Sequence, residues 1–219
     1  MRVLCGAAVV AVASAALCGL AQAQTSIRYD FSLEVTSNTV AVTDPGTTFA
    51  EVPVGALGTL SIEASTTPLA GFGDANTLAY AILSASATID GIDVALDQSL
   101  YPSDSFITGL NLSNDVSSPF IGPNTDAMGA VLASALPDAG LALFSLAAPS
   151  LWDSTALPTS IDLGVPGLFD VFSIDAPNRV DADGQLRTGY TGIDITVIPA
   201  PASGLAVAAL GVLAATRRR

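Results

Sequence analysis

Ile27-Arg28-Tyr29-Asp30-Phe31-Ser32-Leu33-Glu34-Val35-Thr36 sets five apolar residues on one side and five polar residues on the other. Successive side chains of a β-strand point to opposite faces, so this stretch predicts a strand with one face in a core and one in water. Thr59-Leu60-Ser61-Ile62-Glu63-Ala64 repeats the pattern after a connection marked by Pro53, Gly55 and Gly58. Ile82 to Leu96 predicts a hairpin around Asp90-Gly91, a dipeptide suited to a two-residue turn in which both central positions need positive φ. That turn sets Ile89 opposite Ile92, Ala87 opposite Val94 and Ala85 opposite Leu96, all on one face.

Further strands are expected at Phe106 to Leu112, Leu141 to Leu146, Ile161 to Val165, Phe169 to Ile174 and Gly192 to Val197. Between them, Met128, Val131, Leu132, Ala135 and Leu136 recur at helical spacing behind Thr125 or Asp126 as a cap, which predicts a short helix over Thr125 to Leu136. Eight or nine short strands with little helix predict an all-β single domain over residues 24–197, an antiparallel β-sandwich or jelly roll.

Composition narrows the chemistry. Half of the 219 residues are hydrophobic, 12% are charged, and neither His nor Lys occurs. All 20 carboxylates lie between Asp30 and Asp194, and residues 24–197 hold only Arg28, Arg179 and Arg187 as cations, so the body carries a net charge of −17. Such a polyanion is repelled by phosphate backbones, which excludes nucleic acid as a partner. Both Cys, Cys5 and Cys18, sit near the start, leaving the body without thiol, imidazole or ammonium groups. Mechanisms that need a His base, a Cys nucleophile, a Schiff-base Lys or a zinc site with N and S ligands have no residues to run on.

An enzyme would have to work with carboxylates alone, as glycosidases do, but Glu34, Glu51 and Glu63 fall at polar positions of alternating or connecting segments. The sequence therefore points away from catalysis. Gly71-Phe72-Gly73-Asp74 has no helix pattern behind it and does not read as a nucleotide loop. Calcium is the one candidate cofactor: Asp181 and Asp183 stand at i, i+2 before Gly184, within a segment that also holds Asp175 and Asn178. An ordinary Asp-Gly turn between two strands is the competing and favoured reading of those residues. Trp152, the sole Trp, is expected in the core, and Tyr101 in a polar loop before Pro102; exposed loop aromatics would be suited to stacking on sugar rings.

The two ends carry addresses. Met1-Arg2, an apolar run from Val3 to Leu20 and Ala21-Gln22-Ala23 form the three parts of a secretory signal peptide over residues 1–23, with cleavage expected between Ala23 and Gln24. Cleavage removes both Cys, so the exported product cannot rely on disulfides. Residues 198–219 comprise Pro199-Ala200-Pro201, an apolar run from Leu205 to Thr216 and the cluster Arg217-Arg218-Arg219. About 13 residues of helix rise roughly 20 Å at 1.5 Å each, against roughly 30 Å of bilayer hydrocarbon. The Arg cluster would keep the terminus cytoplasmic. A plain C-terminal membrane anchor is one reading of this tail.

Proline-bounded motif, short apolar helix and terminal Arg cluster together resemble the PEP-CTERM sorting signal of exported bacterial proteins, with Ala200 standing where that motif usually has Glu. The resemblance implies processing by signal peptidase and an exosortase-type membrane protease. It also implies transient anchoring in the inner membrane, then a destination at the cell surface or in the extracellular matrix. β-Sandwich bodies commonly precede such tails, and a structural or adhesive role is the expectation that follows. A carbohydrate-binding module for exopolysaccharide, with calcium as a candidate ligand, is the alternative, and a carbohydrate-active enzyme comes third.

Overall fold

The computed structural model describes residues 25–40, 48–105, 107–118, 122–133, 141–175 and 184–200. Nine strands lie within the compact unit Ser26–Ile198: β1 Ser26–Asn38, β2 Leu57–Gly73, β3 Thr77–Ile89, β4 Ile92–Val94, β5 Leu110–Ser118, β6 Gly122–Ala133, β7 Leu141–Pro149, β8 Phe169–Asp175 and β9 Gln185–Ile198. They form one sheet in the order β2-β1-β9-β8-β7-β6-β5-β3-β4, and β2 also pairs with β3. Every pairing is antiparallel. The sheet therefore closes on itself as an eight-stranded barrel, with β4 as a short branch on β3.

The all-β, antiparallel expectation holds, whereas the two-layer sandwich or jelly roll gives way to this single closed sheet. Alternating strands and turn residues are common to both architectures, so the local pattern does not separate them. What separates them is curvature. Register shifts interrupt β1 at Ser32/Leu33 and Val35/Ser37, and β2 at Glu63/Ala64 and beyond. Such irregularities bend strands and deepen their twist. Small inward residues, among them Ala64, Ala85, Ala87, Ala130 and Ala142, alternate with large ones in the core, which lets a narrow wall close around side chains of unequal size.

Along β1, Ile27, Tyr29, Phe31, Leu33 and Val35 are all buried while Arg28, Ser32 and Glu34 are exposed, as the sequence predicts. The barrel is thus apolar inside and polar outside. At its centre the rings of Phe31, Phe144 and Tyr190 form a triangle with centroids 4.8, 5.1 and 5.8 Å apart. Offset aromatic contacts of this kind add attraction beyond the area they bury. The hairpin forms at the expected register, Ile89 against Ile92 and Ala87 against Val94. Both turn residues have the positive φ that the sequence requires, 53° at Asp90 and 74° at Gly91.

Three segments differ from expectation. The Thr125 to Leu136 helix is replaced by β6, whose Met128, Ala130 and Leu132 point inward at period two between β5 and β7. Apolar residues there satisfy both periods, and two hydrogen-bonded neighbours outweigh one helical ladder. Ile161 to Val165 is a turn-rich loop rather than a strand: Gly164 N–H donates to the Asp162 carboxylate at 2.8 Å and Leu168 N–H to the Val165 carbonyl at 3.2 Å. The strand expected from Phe106 begins only at Leu110.

Candidate functional site

β1 and β9 run in opposite directions with Ser26 opposite Ile198, so the described body begins and ends at one barrel mouth. The connection from β7 to β8, residues 150–168, lies across that mouth. Its apolar residues Leu151, Ile161, Leu163 and Leu168 pack on the core and Leu157 is buried. This explains why a segment with strand-like alternation stays a loop: its apolar side chains cover the open end instead of joining the wall.

Polar contacts fasten the loop from below. Tyr29, fully buried on β1, donates its hydroxyl to the Pro158 carbonyl at 2.9 Å, and Tyr80 on β3 donates to the Thr155 carbonyl. Burial, with the neighbouring Tyr80, pushes the Tyr29 hydroxyl well above its usual range, and burial raises Tyr80 likewise. Asp126 on β6 is entirely buried. One carboxylate oxygen accepts Asp115 N–H at 2.9 Å and the other accepts Trp152 N–H at 2.9 Å. A carboxylate removed from water needs such donors, and here they come from a bulge of β5 and from the loop.

Trp152 is half-buried, packs against the core and donates its indole N–H to the Ser113 carbonyl at 2.9 Å. The expected core role is met at the mouth rather than at the centre. Tyr101 is also half-buried against the core, with its hydroxyl pushed up to about 12 by burial and by Asp97. Neither ring lies free for stacking on a sugar. Glu63 is less ordinary than its polar position suggests. It accepts from the Ser26 hydroxyl at 2.7 Å and pairs with Arg28 at 3.1 Å, and these contacts hold its carboxyl below the usual range.

On the outer wall a depression of about 440 Å³ spans β5, β6 and β7. Asn111, Ser113, Ser145 and Thr77 offer polar groups around Ala127 and Gly129, whose small size makes the hollow. The volume lies within the range of small-ligand sites. The barrel interior, by contrast, is occupied by its aromatic triangle.

Of the residues singled out from sequence, Pro199 is exposed and Ala200 half-buried just past β9. Ala23, Gln24, Pro201 and Arg217 to Arg219 lie outside the described residues, as do Asp181 and Asp183. Their segment joins β8 to β9. At its near edge, Asp175 has its carboxyl raised by burial, against the lowering influence of Arg187 and Gln185, and among the described residues its Oδ1 accepts no hydrogen bond. Among the described residues no group of three or more His, Cys, Asp or Glu is disposed to hold a metal, and no helix is long and apolar enough to cross a membrane. Sequence reasoning missed the role of Asp126, because reading Thr125 or Asp126 as a helix cap concealed that the carboxylate is buried in a strand.

Comparison with family models, curated proteins and solved structures gives no match.

Proposed function

We propose that this chain is an exported surface or extracellular-matrix protein with a structural or adhesive role, sent out by its signal peptide and sorted by its PEP-CTERM-like tail through an exosortase-type protease. The observation that carries the reading is the position of the two addresses relative to the fold. Strands run from Ser26 to Ile198, whereas the expected cleavage points fall at Ala23/Gln24 and around Pro199-Ala200-Pro201. Both trims leave every strand, every barrel pairing and the whole core intact. Cysteine only in the leader and a filled barrel held by its closed strand ladder and core suit a product that must stand outside the cell without disulfides. The dense negative surface suits solubility there and disfavours adsorption to anionic lipid. We assign it no catalytic role.

Expression in an exporting bacterium, followed by fractionation and intact mass, tests this. The expected product is outside the cytoplasm, begins at Gln24 and lacks the Arg cluster. Full-length chain, Met1 through Arg219, recovered from cytosol overturns it.

A second reading is favoured by the outer depression of about 440 Å³, an open hollow with a mostly apolar lining to which Asn111, Ser113, Ser145 and Thr77 bring hydrogen-bonding groups. There the protein would bind exopolysaccharide, with calcium as a candidate ligand at Asp181 and Asp183. Glycan-array binding with and without a chelator tests both parts. Absence of binding to every polysaccharide sinks the second reading, and chelator-insensitive binding removes calcium from it.

A further inference from the structure

The apolar run of the tail starts at Leu205 and the last strand ends at Ile198, leaving residues 199–204 between them. Fully extended, those six residues reach about 20 Å. On the other side, residues 21–25 separate the apolar leader from Ser26, a similar reach. Because Ser26 and Ile198 are register partners, both tethers leave from one end of the barrel. That end is the mouth crossed by residues 150–168. The β1–β2 connection and the Asp90-Gly91 turn lie at the other end, as the antiparallel register of β1, β2 and β3 requires.

We propose that, for as long as a terminal apolar segment is inserted in a membrane, the barrel stands with its loop-closed mouth against a zwitterionic lipid surface. The Asp90-Gly91 turn and the β1–β2 connection then face away from it. The inference rests on the reading of the tail as a membrane-inserting segment, and adds an orientation to it. Two features of the mouth fit the surface. Phe72, Phe169 and Val197, at the ends of β2, β8 and β9 that meet there, are exposed, between 40% and 51% accessible; Val54 and Leu57 at the other end are 65% and 68% accessible, so it is the two tethers that choose the end and these three residues that the contact covers. Amphipathic contact at headgroup depth covers such residues. Asp74, Asp153 and Asp162 at the same end are exposed. Their charge stops the contact at the headgroups, since carboxylates are costly in hydrocarbon, and selects zwitterionic over anionic lipid.

The experiment uses the full chain with Cys5→Ser and Cys18→Ser, so that one added Cys takes the only label. Ala75→Cys reports from the β2–β3 turn at the mouth and Asp93→Cys from the far end; both positions are exposed. The variants are bound to phosphatidylcholine vesicles carrying a headgroup energy acceptor. A strand of this length, tilted as barrel strands are, separates the two labels by about 30 Å, so transfer from Ala75→Cys should exceed that from Asp93→Cys at least about twofold. Equal or reversed transfer from bound protein overturns the orientation and leaves the tail reading standing. Failure of the full chain to bind the vesicles overturns both.

Discussion

Asp126 is the residue on which the mouth depends most. Its two oxygens, themselves fully buried, each meet one backbone N–H, from Asp115 and Trp152, in part-buried hydrogen bonds. Asp126→Asn keeps the shape and replaces one acceptor by an amide nitrogen, which sets a donor against a part-buried N–H. A fully buried orphaned donor costs roughly 1–3 kcal/mol; at these part-buried bonds the lower end, about 1 kcal/mol, is expected, which for a body of this size lowers Tm by about 2–4 °C. The loop loosens where Trp152 is held, so the emission of this single Trp should shift to the red in the folded variant. Unchanged Tm and unchanged emission would show that Asp126 does not hold the loop. Nothing in the sequence announces the role, because an Asp between Thr125 and Ala127 looks the same whether it caps a helix or ties two strands. Asp181 and Asp183 read as oxygen ligands by their spacing before Gly184, and they lie outside the described residues.

At the scale of elements, local chemistry was a good guide wherever neighbours in sequence are neighbours in space. The β3–β4 hairpin is the clearest instance: Asp90-Gly91 sets the turn, and the turn sets the register. A Cβ at Gly91 would meet no atom within 4 Å, so space is not what demands glycine there. Its φ of 74° is. Gly91→Val is therefore expected to cost roughly 1–2 kcal/mol through left-handed backbone strain, and Gly91→Asn clearly less, since Asn tolerates that region. Denaturant midpoints for the two variants check it, and equal midpoints would refute the conformational account. The guide failed at β6 and at Ile161 to Val165 for one reason. An apolar run takes the conformation that its non-local neighbours reward. β6 had a strand waiting on either side, while Ile161 and Leu163 had an open barrel end to cover.

For the whole molecule, closure of the sheet makes one interior, and all four tyrosines are buried in it or half-buried against it. Burial is the leading cause of a raised hydroxyl pKa at Tyr29, Tyr80, Tyr101 and Tyr190, with Tyr101 at about 12. Three of these hydroxyls also donate to carbonyls, of Pro158, Thr155 and Val171, and a phenolate has no proton to donate. The fold thus favours neutral tyrosine. A group whose folded pKa lies above its unfolded value of about 10 lends its stability in full below that pH and loses it as pH rises further. Stability should accordingly be level up to about pH 10 and fall steeply above it, with no Lys to titrate in the same window. The growing repulsion within a body already at −17 adds to the loss. In a spectrophotometric titration, tyrosinate absorbance should stay low through pH 10 and then rise in one cooperative step together with loss of the β-sheet circular dichroism signal. Gradual ionisation near pH 10 with the sheet signal intact would mean that the tyrosines are open to water, and with them the mouth that Tyr29 and Tyr80 close.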